Sequence, residues 1–306
     1  QQNVMHCFFE RIFIVIFFLF PLLSLGQHYN YSQFFIDKGL SQSQVTCMQQ
    51  DKYGYLWIGT DGGGIDYFDG KQFTNIRPEH GLSHSRIVSL LSTDNNSVIC
   101  GIRQHFFSII RRDTILNFDS VDKYGNTTVT AIAKDNNGIT WLGNEKGDVF
   151  TLYDDTLVTF RYNLGSQINS ILFIKQGIYL VATESGLFSC SDNLYSRLKF
   201  FNNISVKHIA QNTDELIWAA TAKGVAVLER GSWSWETAFN RLAYKQITQI
   251  IAVHPSEIWF ASYGSGAIRW DRNKPFVLDD SNGLPNVFCS TISRDPSGNI
   301  WMGTDG

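Results

Sequence analysis

Charge is scarce in this chain, and neither sign dominates. Only 17% of the 306 residues are charged and the formal net charge is −3. That balance gives no field to draw in nucleic acid or an anionic membrane surface. Proline is sparse, with 6 residues, and no low-complexity tract occurs that could serve as a linker. The five cysteines form no CxxC pair and no Cys/His spacing of the metal-ligand kind. Also missing are a Gly-x-Ser-x-Gly elbow and a phosphate-cradling glycine loop. Asp279-Asp280-Ser281-Asn282-Gly283 comes closest to a calcium loop but lacks the distal bidentate Glu. No metal and no cofactor is therefore expected. No nucleophile–base pair or carboxylate pair stands out, which weakens an enzyme reading. It does not remove one, because carboxylates drawn from distant segments leave no local pattern.

A long apolar run occurs once, from Ile12 to Leu25, with Arg11 before it and Gly26-Gln27 after. A basic residue, about a dozen apolar residues and small residues at the exit describe a secretory signal peptide. Ser24 and Gly26 would stand at the −3 and −1 positions, with Met5 as initiator, so residues 1–26 are expected to be removed. The alternative is an uncleaved anchor, but the run is short for a span and Pro21 interrupts it. Either way the chain is exported. Cys7 leaves with the leader. Cys47, Cys100, Cys190 and Cys289 remain in an oxidising compartment and could pair in three ways. Each sits in an apolar strand-like run, so buried free thiols are the favoured reading and a Cys47–Cys289 bridge the lesser one.

What the chain does have is a repeat. Apolar segments ending in a small residue and a polar turn recur with anchors at Trp57, Ile99, Trp141, Leu180, Trp218, Trp259 and Trp301. The spacings stay near forty residues, the size of one four-stranded propeller blade. In the unit 39–77, Gln44 to Gln50 alternates, Asp51-Lys52-Tyr53-Gly54 turns, and Leu56 to Thr60 is almost wholly apolar. Asp61-Gly62-Gly63-Gly64 and Asp69-Gly70 then turn the chain into a third and a fourth strand. The fold class expected is all-β: a seven-bladed propeller of four-stranded antiparallel blades. The blades fall at about 39–77, 81–118, 127–161, 166–200, 204–239, 245–278 and 283–306, within a propeller region of 27–306. Trp57, Trp141, Trp218, Trp259 and Trp301 are read as structural anchors that fill the wedge between blades. Residues 31–36 read as a lone fourth strand that closes the ring on the last blade. That blade is expected to be incomplete, with its third strand beyond Gly306.

Gly39-Leu40-Ser41, Asp51-x-x-Gly54-x-Leu56-Trp57-Ile58-Gly59-Thr60-Asp61-Gly62-Gly63-Gly64-Ile65 and Phe68-Asp69-Gly70 carry a resemblance. They resemble the two-component regulator propeller repeat, and Ile300 to Gly306 repeats the same string. The resemblance covers about residues 30–306. It implies the exported sensor region of a bacterial two-component or hybrid signalling protein. In that family an immunoglobulin-like domain, a membrane span and a cytoplasmic output module usually follow. The segment itself is then non-catalytic, although the full-length protein could be a histidine kinase. Its expected place is the periplasmic face of the inner membrane, with secretion as the alternative. The rival readings are an exported polysaccharide lyase or hydrolase and a protein-interaction platform.

No family motif assigns ligand contacts, so the candidate site comes from the residues. Inter-blade loops and second-to-third-strand turns share one rim of a propeller, and loops on a rigid scaffold carry recognition. Here the rim holds His80, His84, Arg86, Arg103 and His105, and blade two has Arg103-Gln104-His105 where blade one has Asp-Gly-Gly. Such a rim suits a small anionic molecule or an oligosaccharide. Asp61, Glu145, Lys146, Glu184, Lys223 and Tyr263 occupy further turns on it. His208 and His254 read as structural, as do Trp233 and Trp235. A homodimer is among the arrangements open to the full-length protein.

Overall fold

The computed structural model describes residues 31–119, 126–153, 157–175, 177–191, 194–213, 215–237, 246–254, 257–271 and 275–306. The expected leader at 1–26 lies outside them. Residues 34–306 form one compact unit. Its first sheet pairs β1 (Val45–Gln50), β2 (Leu56–Thr60), β3 (Ile65–Phe68) and β4 (Phe73–Ile76) in antiparallel chain order. The second uses β5 (Ile87–Ser92), β6 (Val98–Ile102), β7 (Phe107–Ile110) and β8 (Ile115–Phe118). The third uses β9 (Val129–Lys134), β10 (Thr140–Asn144), β11 (Asp148–Tyr153) and β12 (Leu157–Asn163). The fourth uses β13 (Ile168–Lys175), β14 (Ile178–Thr183), β15 (Gly186–Ser191) and β16 (Leu194–Arg197). Then come β17 (Val206–Gln211), β18 (Ile217–Thr221), β19 (Gly224–Glu229) and β20 (Ser232–Trp235). The sixth sheet is β21 (Gln246–His254), β22 (Glu257–Tyr263), β23 (Gly266–Trp270) and β24 (Pro275–Leu278). A seventh has two strands, β25 (Cys289–Arg294) and β26 (Ile300–Thr304). The described residues thus hold six complete blades and a two-stranded partner.

The closing strand expected over residues 31–36 does not form. Residues 31–35 carry no regular structure and Ile36–Lys38 make a 3-10 turn. With no third strand beside β26 among the described residues, a fourth has no ladder to join. What the segment does copy is the exit from a blade. Gly39 N–H donates to Ile36 O and Leu40 N–H to Phe35 O, as Gly81 does to Pro78 O and Leu82 to Arg77 O. Gly39 (φ 105°) and Gly81 (φ 100°) both take the left-handed conformation that ends such a turn.

Closure comes instead from the inner strands. Asp305 bridges to Gln44, and the Ser290 hydroxyl donates to Val45 O. Phe34, Leu40, Val45, Leu56 and Phe68 bury a common cluster against Trp301. Five comparable clusters fill the wedges between consecutive blades from the first to the sixth. Trp141 and Trp218 belong to these clusters and Trp259 is buried, whereas Trp57 and Trp301 are half-buried and pack against theirs. In blades one, two, three and seven the residue two places after the anchor is glycine, and its cause is steric. A Cβ on Gly101 would stand 2.0 Å from Val129 O of the next blade, and one on Gly143 2.4 Å from Ile168.

Every inner strand carries one register shift near its start, leaving Thr46, Val88, Thr130, Asn169, Lys207, Thr248 and Ser290 unpaired. A bulge re-aims a side chain. Here it turns donors toward the following blade. Thr130 Oγ1 donates to Ile168 O (2.5 Å), Asn169 Nδ2 to Val206 O (2.9 Å) and Thr248 Oγ1 to Cys289 O (3.2 Å). In blade two the bulge residue is Val88, and the next residue, Ser89, donates to Val129 O instead. These bonds tie each inner strand to the backbone of the next. The four cysteines are free thiols, Cys47 half-buried and the rest buried, so no bridge joins Cys47 to Cys289.

Candidate functional site

The rim can be read junction by junction, because equivalent residues meet at each. The residue four after an anchor lies against the residue that enters the next inner strand. Asp61 meets Arg86, Tyr263 meets Phe288, and Asp305 meets Gln44. What differs between junctions is their chemistry.

Between blades one and two, Arg86 Nε lies 3.6 Å from Asp61 Oδ1. The rings of His84 and His105 stack at 5.0 Å with an interplanar angle of 14°. His84 Nδ1 accepts the Arg86 N–H (3.2 Å), so a neutral His84 carries its proton on Nε2. His105 Nδ1 stands 3.6 Å from Asp119 Oδ1. Burial, then the neighbouring His105 and Arg86, hold His84 below the ordinary histidine value. Arg103 is exposed and donates its N–H to Arg86 O at 3.0 Å. His84, Arg86, Arg103 and His105 are thus brought to one junction. His80 is not: its Nδ1 accepts the Arg77 N–H and caps the 3-10 turn Pro78–His80.

The backbone presenting His105 is strained. Gln104 (φ 62°) and Phe106 (φ 57°) occupy the places of Gly62 (φ 124°) and Gly64 (φ 85°) in blade one. A left-handed non-glycine residue costs about 1–2 kcal/mol. Phe106 offsets that by burying its ring against Phe107 and Phe150. Gln104 is exposed, with its N–H bonded to Thr128 Oγ1.

Between blades four and five, Glu184 accepts from Lys207 Nζ (2.6 Å), Asn169 Nδ2 (3.1 Å) and Ser205 Oγ (2.7 Å). Burial opposes its ionisation, but the bonds from Lys207, Ser205 and Asn169 prevail and hold the carboxyl below its usual value. Both oxygens are engaged, so this group acts as a clasp between blades. Glu145 likewise accepts the Thr128 N–H. His208 is half-buried in β17 and accepts the Ile250 N–H of the next blade (3.4 Å). Burial pushes it down to about 4, which favours the neutral acceptor. His254 ends β21 opposite Glu257. Trp233 and Trp235 pack on Phe200, and Trp233 also on Phe201.

Asp119, Phe288 and Lys207 were outside the residues singled out from sequence. They join rim positions from strand ends that no local motif marks.

The family model for the two component regulator propeller matches residues 39–62 and 283–306. A Formosa agariphila protein named histidine kinase P4 is 40% identical over 79 residues, which are 24% of this chain and 6% of that protein. The extracellular domain of a hybrid two component system from B. thetaiotaomicron superposes with a TM-score of 0.75 at 20% identity. That match covers 89% of this chain and 40% of the other. Virginiamycin B lyase from Staphylococcus aureus superposes with a TM-score of 0.70 at 12% identity, covering 86% of this chain and 92% of the lyase. At those identities the two structures share the fold alone. The chain spans less than half of the first two proteins. Repeats at both ends of one propeller are thus similar to the two component regulator propeller repeat.

Proposed function

We propose that this propeller is the exported, ligand-sensing region of a two-component-type signalling protein, held at the periplasmic face of the inner membrane by other parts of that protein. In this reading the ring has seven blades, and β25 and β26 are the inner half of the seventh. They keep the same bulged register as the inner pairs of the other six. The sensing site is the junction of blades one and two. Its ligand is a small anion or an anionic oligosaccharide, bound by Arg86, Arg103, His84 and His105 and released unchanged.

The observation that carries the reading is the strained turn. Blade two gives up both left-handed glycines of the turn and keeps their left-handed backbone, with Gln104 and Phe106 in it. The same turn sets His105 against His84 beside two arginines. Guanidinium groups and the imidazole N–H of a neutral histidine suit carboxylate, sulfate or phosphate. A thermal-shift screen of anionic sugars and organic acids tests this on the chain and on Arg103→Ala and His105→Ala. A ligand should raise the unfolding temperature of the parent and lose most of that effect in both variants. Equal protection of all three proteins would move the site elsewhere. Conversion of the ligand to product would favour the lyase or hydrolase reading.

A further inference from the structure

At the junction of blades six and seven, two aromatic rings stand open to solvent where other junctions present polar side chains. Tyr263 is 40% exposed and Phe288 is 39% exposed. Their ring centroids lie 4.7 Å apart at 41°, forming a shallow angled corner. The Tyr263 hydroxyl donates to Asp305 Oδ2 at 2.8 Å, which fixes the ring and places a carboxylate at its edge. That bond raises the tyrosine above its ordinary value and keeps it a neutral donor.

The fold does not ask for aromatics here. The equivalent pair is Asp61 with Arg86 at one junction and Asp305 with Gln44 at another. Glu184 with Ser205 fills the same role at a third. Nor do the rings close the core, since both keep more than a third of their surface. Two faces of negative quadrupole beside an anionic oxygen are complementary to one kind of group, a weakly hydrated cation. Substituted ammonium fits, because its methyl or methylene shell packs on ring faces while the charge meets the carboxylate. The loop leading into this blade adds Asp279 and the exposed Asp280, so local charge favours the same sign.

We propose that Tyr263, Phe288 and Asp305 form a subsite for an organic ammonium group on the same rim as the histidine–arginine junction. The subsite shares no residue with that junction and stands without it. Asp305 meets Gln44 of blade one, and blade one meets Arg86 through Asp61, so one junction, that of blades seven and one, separates the two.

The test is titration of the whole chain with choline and with its uncharged isostere 3,3-dimethyl-1-butanol, followed by saturation-transfer NMR. Choline should bind with a Kd on the order of millimolar, and the isostere about tenfold more weakly. Asp305→Asn keeps an acceptor for the tyrosine and should cost choline about tenfold, as should Tyr263→Ala. Arg103→Ala should leave choline binding unchanged, which separates this subsite from the anion site. Equal binding of the isostere, no binding of choline at tens of millimolar (roughly tenfold above the expected Kd), or full binding by both Asp305→Asn and Tyr263→Ala would each overturn the proposal.

Discussion

Blades one and two share a backbone and differ in almost everything that backbone presents. Blade one spells its turns with glycine: Gly54 (φ 93°), Gly62 (φ 124°) and Gly64 (φ 85°). Blade two places Asn96 (φ 61°), Gln104 (φ 62°) and Phe106 (φ 57°) at the corresponding positions. Blade five does the same with Glu215 (φ 60°) where blade one has Gly54. The wedge packing and the inter-blade bonds hold the turn in shape after the residue suited to it has gone. Where blades two and five have lost the turn glycine, the strain remains.

The Asp turn makes the same contrast in hydrogen bonds. In blades one, three and seven, Asp51, Asp135 and Asp295 each accept the indole N–H of the tryptophan six residues on, at 2.9, 3.0 and 3.2 Å. Blade five has Asn212 there. Its Oδ1 still takes the Leu216 N–H, but the buried Trp218 Nε1 has no partner among the described residues.

The largest expected effect tests the close approach of blades two and three, since blades four to six carry alanine at the equivalent place. Gly101→Ala drives a Cβ to 2.0 Å from Val129 O, a backbone atom that cannot swing aside. It should destabilise the chain by about 3 kcal/mol in denaturant titration, near the top of the range for overpacking. A loss below 1 kcal/mol would mean that the blade interface is looser than it looks.

Acid should come next, and it acts on blade five. His208 is held near 4 against an ordinary 6.5, so the unfolded chain takes up the proton more readily. Its contribution is therefore complete above pH 6.5 and is lost as pH falls from 6.5 to 4. Allowing for its partial exposure, the loss should be about 2 kcal/mol, and His208→Gln should flatten that part of the stability profile.

Restoring glycine should relieve the strain. Glu215→Gly and Gln104→Gly are each expected to stabilise by about 1 kcal/mol, and Asn96→Gly by less, because asparagine tolerates the left-handed region. Unchanged stability in Glu215→Gly would place the strain energy elsewhere. The smallest effect expected is Asn212→Asp, which gives Trp218 its missing acceptor. About 0.5–1 kcal/mol of stabilisation should appear at neutral pH and fade as the new carboxyl is protonated.

Much of the fold is legible in the chain because its causes are local. A forty-residue period, strand alternation, Asp-x-x-Gly turns and a small residue after each anchor are consequences of one blade, and one blade is contiguous. The lone strand over 31–36 was misread for a local reason too. Its residues match a blade exit, and the strand before such an exit needs a ladder that the motif cannot supply. The site is less legible. Loop composition pointed to His84, Arg86, Arg103 and His105, but equally to His80, which caps its own turn. The stack of His84 on His105, the approach of Asp119 and the corner of Tyr263, Phe288 and Asp305 join residues about fourteen to forty positions apart.

By itself, then, the sequence determined the blade: its period, its turns, its apolar second strand and the tryptophans that fill the wedge. Only the tertiary structure decided how blades meet. The bulge in each inner strand, the donors it turns toward the next blade and the side chains paired across each junction depend on a neighbour about forty residues away. Periodicity fixes what repeats within a blade, whereas a junction is made by two blades whose sequences have drifted apart. Recognition chemistry lies at the junctions, and so it had to be seen in space.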